Sequence, residues 1–338
     1  MNRAGVGLGL SCPPNLVNLR VVNNASSRNA AKRAARAGSR LLCAALLLSL
    51  AAGCSIRKMA INKLGDALAG GGTTFASDDD PELVKAAVPF SLKLMESLLA
   101  ESPKHKGLLF ATSSGFTQYA YAFVQQEADE LEDKDLAAAQ AMRARAKRLY
   151  LRARSYGLRG LEVRHPGFES ALRANPKSAV RVTRREEVPL LFWTAASWGL
   201  AISPDDPALV AEQPIVEALI DRALELDAAY GEGAIHSFLI TYEMKRPGAK
   251  GDPAERARRH FQQALELSHG QQAGPFVALA EAVTIKKQDV QEFESLLNRA
   301  LAVNPDAAPE YRLANLIAQR RARWLLSRKE ELFLIPEK

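Results

Sequence analysis

Three segments in the second half of this chain repeat one local pattern: Arg-Ala-Leu-Glu-Leu-Asp at 222–227, Gln-Ala-Leu-Glu-Leu-Ser at 263–268 and Arg-Ala-Leu-Ala-Val-Asn at 299–304. Ala223, Ala264 and Ala300 stand 41 and 36 residues apart, a period that accommodates two helices and is not regular. A helix pair buries one face by itself and becomes stable by stacking on its neighbours, so a series of such pairs forms an array with a concave wall. This requirement constrains the chain more than any other feature.

The same organisation extends upstream. Helical segments end in Leu or Ala with Pro five residues on, at Leu98 to Pro103, Leu161 to Pro166 and Ala300 to Pro305. Asp78-Asp79-Asp80-Pro81-Glu82 reads as a helix start: an Asp cap, Pro at the first helical position and acid in the first turn. Apolar residues follow at helical spacing at Leu83, Ala87, Phe90, Leu94 and Leu98. No alternating strand and no Asn-Gly or Asp-Gly hairpin turn is found. Ala257, Phe261 and Ala264 fit the small–aromatic–small spacing of a second tetratricopeptide helix, behind an Asp252-Pro253-Ala254-Glu255 start. The expected fold is all-α: degenerate TPR-like hairpins in an irregular α-solenoid or bundle. The helical domain is placed at 81–330 and a short tail at 331–338, with room for about four or five pairs between Pro81 and Leu326.

The N-terminal segment reads differently. The formal charge is +7, yet Arg3, Arg20, Arg28, Lys32, Arg33, Arg36 and Arg40 lie in residues 1–53, which hold no acid. The rest is neutral overall, and the case for nucleic acid fails. Arg28 to Arg40 form a positive region, Leu41 to Ala52 an apolar run too short to span a bilayer, and Gly53-Cys54 follows. This layout predicts a signal segment over 1–53 and lipidation at Cys54. The leader is long, and Val21 or Val22 would serve as an alternative start. Ser55 after the anchor predicts the periplasmic face of the outer membrane, with the chain anchored to the membrane and not spanning it. Cys12 and Cys43 fall in the discarded segment, so the mature chain has no thiol for disulfides or metal ligation. Residues 54–80, with an amphipathic stretch at Ile56 to Leu68 and Gly70-Gly71-Gly72, read as a tether.

Motifs for catalysis are missing: no HExxH, no phosphate loop, no GxSxG and no paired Cys/His spacing. No enzyme activity, metal or cofactor is expected. His105, His165, His236, His260 and His269 are scattered. His236, at a helix start, faces a cavity or sits as a satisfied interhelical histidine. The arginines between Arg143 and Arg159 alternate with Leu and Tyr and read as a solvated helix face.

Aromatic residues are the remaining candidates for a site. Trp193 and Trp198 lie in Phe192-Trp-Thr-Ala-Ala-Ser-Trp-Gly199, and five helical steps separate their side chains by about 140°. They cannot share one core seam, so one packs between helices while the other leans over a groove. Tyr119, Tyr150 and Tyr156 lie on neighbouring helices, and their polar tips suit an amphipathic ligand.

The lipoprotein box, Arg-Leu-Tyr-Leu-Arg-Ala-Arg-Ser-Tyr-Gly-Leu-Arg-Gly-Leu at 148–161, Phe-Trp-Thr-Ala-Ala-Ser-Trp-Gly at 192–199 and His-Phe-Gln-Gln-Ala-Leu-Glu-Leu-Ser at 260–268 together resemble the T component of TPR-protein-associated TRAP transporters. The resemblance covers essentially the whole mature chain. It implies a homotrimer with a pore through each protomer and association with a periplasmic solute-binding P component. It also implies an accessory role in passing a hydrophobic solute toward an inner-membrane carrier. Trp193 and Trp198 carry over as pore-wall candidates; Phe192, Tyr119, Tyr150, Tyr156 and His236 extend that wall by spacing. The alternative is a TPR scaffold lipoprotein that binds proteins during envelope assembly.

Overall fold

Among the described residues, five helices open on an aspartate whose carboxylate accepts from backbone N–H groups of the first turn: Asp80 from Glu82 and Leu83, Asp135 from Ala138, Asp206 from Leu209, Asp252 from Ala254 and Asp289 from Glu292. The computed structural model describes residues 61–70 and 72–334, with residue 59 and leader positions 32, 33, 36 and 39. Cys54 and the signal region read around it lie outside the described residues. The described helices from residue 61 onward belong to one unit, and no strand occurs among the described residues.

In chain order, α1 covers 61–70, α2 Gly72–Ala76, α3 Pro81–Glu101 and α4 Lys106–Ala120. A π-helical turn, Tyr121–Gln125, joins α4 to α5, Gln126–Leu131. Then come α6 Leu136–Arg164, α7 Phe168–Ala174, α8 Pro176–Ala179, α9 Val188–Ala201, α10 Pro207–Ala211 and α11 Gln213–Leu226. The C-terminal part contains α12 Ala234–Tyr242, α13 Pro253–Leu267 and α14 Gly274–Leu279. A second π-helical turn, Ala280–Thr284, leads from α14 into α15, Ile285–Lys287. The last helices are α16 Val290–Ala302, α17 Arg312–Ser327 and α18 Lys329–Leu332.

The repeated alanines sit where the pairs stack. Ala223, Ala257, Ala264 and Ala300 are buried, and Phe261 meets Phe276 edge-on at 5.5 Å. An inner series, α4, α9, α12 and α14, is joined helix to helix and backed by α6, α11, α13 and α16. A tight crossing is at Gly157 of α6, where an added Cβ would lie 2.2 Å from Thr194 Oγ1 and 3.1 Å from Ser113 Oγ.

The array returns on itself. Helix α17 packs on α14 and α16 on one side and on α2 and α3 on the other. Its Leu313 and Ile317 join the N-terminal apolar cluster around Val84, Leu92 and Phe116. Arg312 donates to the Ser77 carbonyl at 3.0 Å, Arg320 meets Glu130 at 2.7 Å and Arg328 meets Asp133 at 3.0 Å. Long-range closure of this kind is carried by side chains far apart in sequence, which the local repeats do not encode.

Packing extends beyond the 81–330 span at both ends. Residues 61–70 and 72–76, read from sequence as a tether, are helical, and Ile61 and Leu68 pack against the cluster of Met95, Leu98, Leu99, Leu108 and Leu109. Ser102 donates to Asn62 Oδ1 at 2.8 Å. At the other end Phe333 is buried against Phe293, ring centres 4.9 Å apart.

Candidate functional site

Helix α9 is apolar nearly all round, and a helix of that kind lies inside its domain. Helices α6 and α11 cover its outer side and α4 and α12 flank it. Its partly exposed positions are Pro189, Trp193, Gly199 and Leu200, of which Pro189, Trp193 and Leu200 recur at helical spacing with the small Ala196 between them. They form a stripe turned away from the outer helices. The run from α4 into its π-helical turn has a matching stripe at Phe110, Gln118 and Tyr121, with the small, buried Ser114 between them; α12 has one at Ala234, Phe238 and Thr241, and α14 with its π-helical turn one at Gly274, Ala278 and Glu281. The inner face of the array is therefore a mixed wall: aromatic and aliphatic at Trp193, Leu200 and Phe238, polar at Gln118, Thr241 and Glu281.

The two tryptophans sit in different surroundings, as the 140° separation predicts. Trp198 is 0% exposed, and its Nε1 donates to Glu212 Oε2 at 2.8 Å. Arg154 and Arg173 reach the same carboxylate at 3.1 and 2.6 Å, and their guanidinium carbons lie 4.6 and 5.7 Å from the indole ring. This tryptophan binds α9 to α6, α7 and the start of α11, with its one polar atom satisfied. Trp193 is half-buried and meets Phe192 edge-on at 4.9 Å. Gly199 admits the neighbouring helix: a Cβ there would come within 3.2 Å of the Phe238 ring.

The other aromatic candidates are spread over several clusters. Phe192 is buried among Trp193, Tyr230 and Phe238. Tyr119 is buried against Phe123, and Tyr150, buried beside it, donates to Gln125 Oε1 at 2.7 Å. Tyr156 stacks on Phe116 at 6.2 Å and donates to Glu96 Oε1 at 2.7 Å, on the α3 side of the array. Burial pushes the Tyr150 and Tyr156 hydroxyls up from their ordinary value.

His236 is paired. Its Nδ1 lies 2.9 Å from Nδ1 of His260, joining α12 to α13, so one ring donates and the other accepts. Burial lowers the pKa of His236, and burial together with the neighbouring imidazole lowers that of His260 to about 4. The two residues are 24 positions apart, and no sequence spacing announces the pair.

The arginines of α6, read from sequence as a solvated face, are largely engaged with neighbouring helices. Arg143 meets Asp129 at 3.0 Å and Glu132 at 2.7 Å, Lys147 meets Asp206 at 2.8 Å, Arg154 holds Glu212, and Arg152 pairs with Glu96. Glu96 is held below the usual carboxylate range: burial opposes ionisation but is outweighed by hydrogen bonds from Lys93, Tyr156 and Arg152.

Sequence reasoning passed over Tyr121. It is 41% exposed at the start of the π-helical turn that follows α4, and desolvation raises its pKa, with Glu281 adding to the rise. Its position seven residues beyond Ser114 is the only trace of this in the sequence. Among the described residues no group of three or more His, Cys, Asp or Glu could hold a metal ion, and no helix is long and apolar enough to cross a membrane.

The profile of a family described as TRAP transporter T-component matches residues 77–333. An uncharacterized protein of Treponema pallidum (strain Nichols) is 28% identical over 305 residues, covering 84% of this chain and 94% of that protein.

Proposed function

This chain belongs to the TRAP transporter T-component family, and from that membership we propose that it takes a largely apolar solute onto its inner wall and exchanges it with a periplasmic solute-binding P component. The accessory transport role follows from the family. The solute-handling step is supported by one observation above the rest: the inner helices each leave one stripe uncovered, and those stripes combine Trp193, Leu200, Phe238 and Tyr121. In this reading the returning array surrounds a passage through the protomer. Trp193 lies on its wall, while Phe192, Tyr119, Tyr150, Trp198 and the His236–His260 pair hold the wall from behind. Tyr156 supports the α3 side.

Three further parts belong to the same proposal. Cys54 carries a lipid that holds the chain at the periplasmic face of the outer membrane. The functional assembly is a homotrimer. Passage of the solute requires contact with the P component and no cofactor.

The deciding experiment is co-purification of the membrane-anchored protein from its native envelope. Recovery of a solute-binding protein in defined stoichiometry is expected. Recovery of envelope-assembly factors alone would favour the protein-binding scaffold instead. Native mass spectrometry of the same preparation should give a trimer, and a monomer at micromolar concentration would refute that part. Cys54→Ala should move the protein to the soluble fraction.

A further inference from the structure

Two π-helical turns lie on the inner helices, Tyr121–Gln125 after α4 and Ala280–Thr284 after α14. Such turns are rare, disturb the regular helical ladder and concentrate at functional sites. Here they are brought to one place by Arg321 of α17. Its Nη2 lies 3.1 Å from Asp129 Oδ2, on the helix that continues the first turn, and 2.6 Å from Glu281 Oε1, in the second. The Arg321 side chain is nine-tenths buried, and its Nη1 has no hydrogen-bond partner.

The charges at this place do not balance. Arg321, Arg143 and Arg328 face Asp129, Glu132, Asp133, Glu281 and Glu331, and Arg143 and Arg328 are already engaged with Asp129 and Glu132 and with Asp133 and Glu331. An excess carboxylate in a partly desolvated setting repels a further anion. Tyr121 stands beside this cluster with its ring accessible, and burial and Glu281 keep its hydroxyl protonated. It is a hydrogen-bond donor at the polar end of an otherwise apolar wall. Phe110 and Tyr121, eleven positions apart on one stripe, are separated by about 16 Å along the helix. Phe110 and Trp193 both pack against the buried cluster around Leu191 and Phe192, and Leu200 packs against the Tyr119–Phe123 cluster, so apolar side chains are found along that length.

We infer that the inner wall selects an uncharged amphipathic molecule, whose hydroxyl or carbonyl oxygen accepts from Tyr121 and whose apolar body lies along Leu200, Trp193 and Phe238, and that it discriminates against carboxylates. This inference rests on the reading of the inner face as a solute-binding wall. The electrostatic part is independent of which solute is carried in the cell.

The test compares dodecan-1-ol with sodium dodecanoate, matched in chain length, by calorimetric titration of the full processed chain at pH 8 and below micelle-forming concentrations. Dodecanol is expected to bind at least about tenfold more tightly, a difference of about 1.4 kcal/mol. Tyr121→Phe should weaken dodecanol and leave dodecanoate unchanged. Glu281→Gln, with Arg321 still held by Asp129, should tighten dodecanoate selectively; circular dichroism checks that both variants remain folded. Equal or tighter binding of dodecanoate by the unmodified chain overturns the inference and leaves the solute-binding wall standing. Binding of neither probe overturns both. A Tyr121→Phe variant with an unchanged preference removes Tyr121 from the site.

Discussion

Replacing Trp198 by Ala tests whether the two tryptophans are divided between scaffold and wall. Trp198 is the largest fully buried side chain among the described residues. Truncating a buried aromatic costs about 3–5 kcal/mol, transfer and cavity terms together. The hydrogen bond from Nε1 to Glu212 is lost as well. Glu212 is not orphaned, because Arg154 and Arg173 still reach it, so that loss falls at the low end of about 1.5–3 kcal/mol for a bond to a charged group. The two overlap in the truncation figure, and a total near 5 kcal/mol is expected, roughly 10–20 °C in Tm for a chain of this size. Trp193→Ala removes a half-buried ring and one edge-on contact with Phe192, which amounts to about 1–2 kcal/mol. Urea unfolding followed by circular dichroism measures both, provided the m-values agree. A gap of about 3 kcal/mol is expected between them. Trp198→Phe, which keeps most of the volume but not the donor, should fall between. Equal destabilisation by the two Ala variants would refute the division and return Trp193 to plain core.

Gly157→Ala should destabilise by at least about 2 kcal/mol, since its Cβ would lie 2.2 Å from a Thr194 hydroxyl that is fixed by its own bond to the Leu190 carbonyl; thermal unfolding that matches the parent would contradict the tight crossing. The His236–His260 pair sets a pH dependence of known sign. Both folded pKa values lie below the ordinary histidine value of 6.5, that of His260 at about 4, so the stabilisation is complete above 6.5 and is lost as pH falls toward 4. Unfolding free energy measured across that interval should decline, and His260→Gln should flatten the decline there. The carboxylate of Glu243, whose pKa is lowered by hydrogen bonds from Arg256 and Arg246 against the effect of burial, continues the loss at lower pH.

Much of the scaffold is legible in the chain because its signals are local. Asp80 and Asp252 cap helices as their Pro-containing starts predict, since a cap is settled within three residues. The alanines of the repeated segments are buried because close approach of helix pairs admits little else at those steps. The separation of Trp193 from Trp198 follows from helical pitch alone. The family, too, was readable from the order of these motifs.

The remainder depends on contacts between distant residues. Whether an array of helix pairs stays open or returns on itself is decided where α17 meets α2 and α3, more than 200 residues apart in the chain. No local pattern carries that information. The pairing of His236 with His260 and the bridge from Asp129 through Arg321 to Glu281 exist only after that packing. The sequence by itself determined the helices, their caps and their apolar stripes, which are properties of one turn or one pitch. Tertiary structure alone decided which stripe stays uncovered, because coverage is a property of the neighbours that a helix acquires.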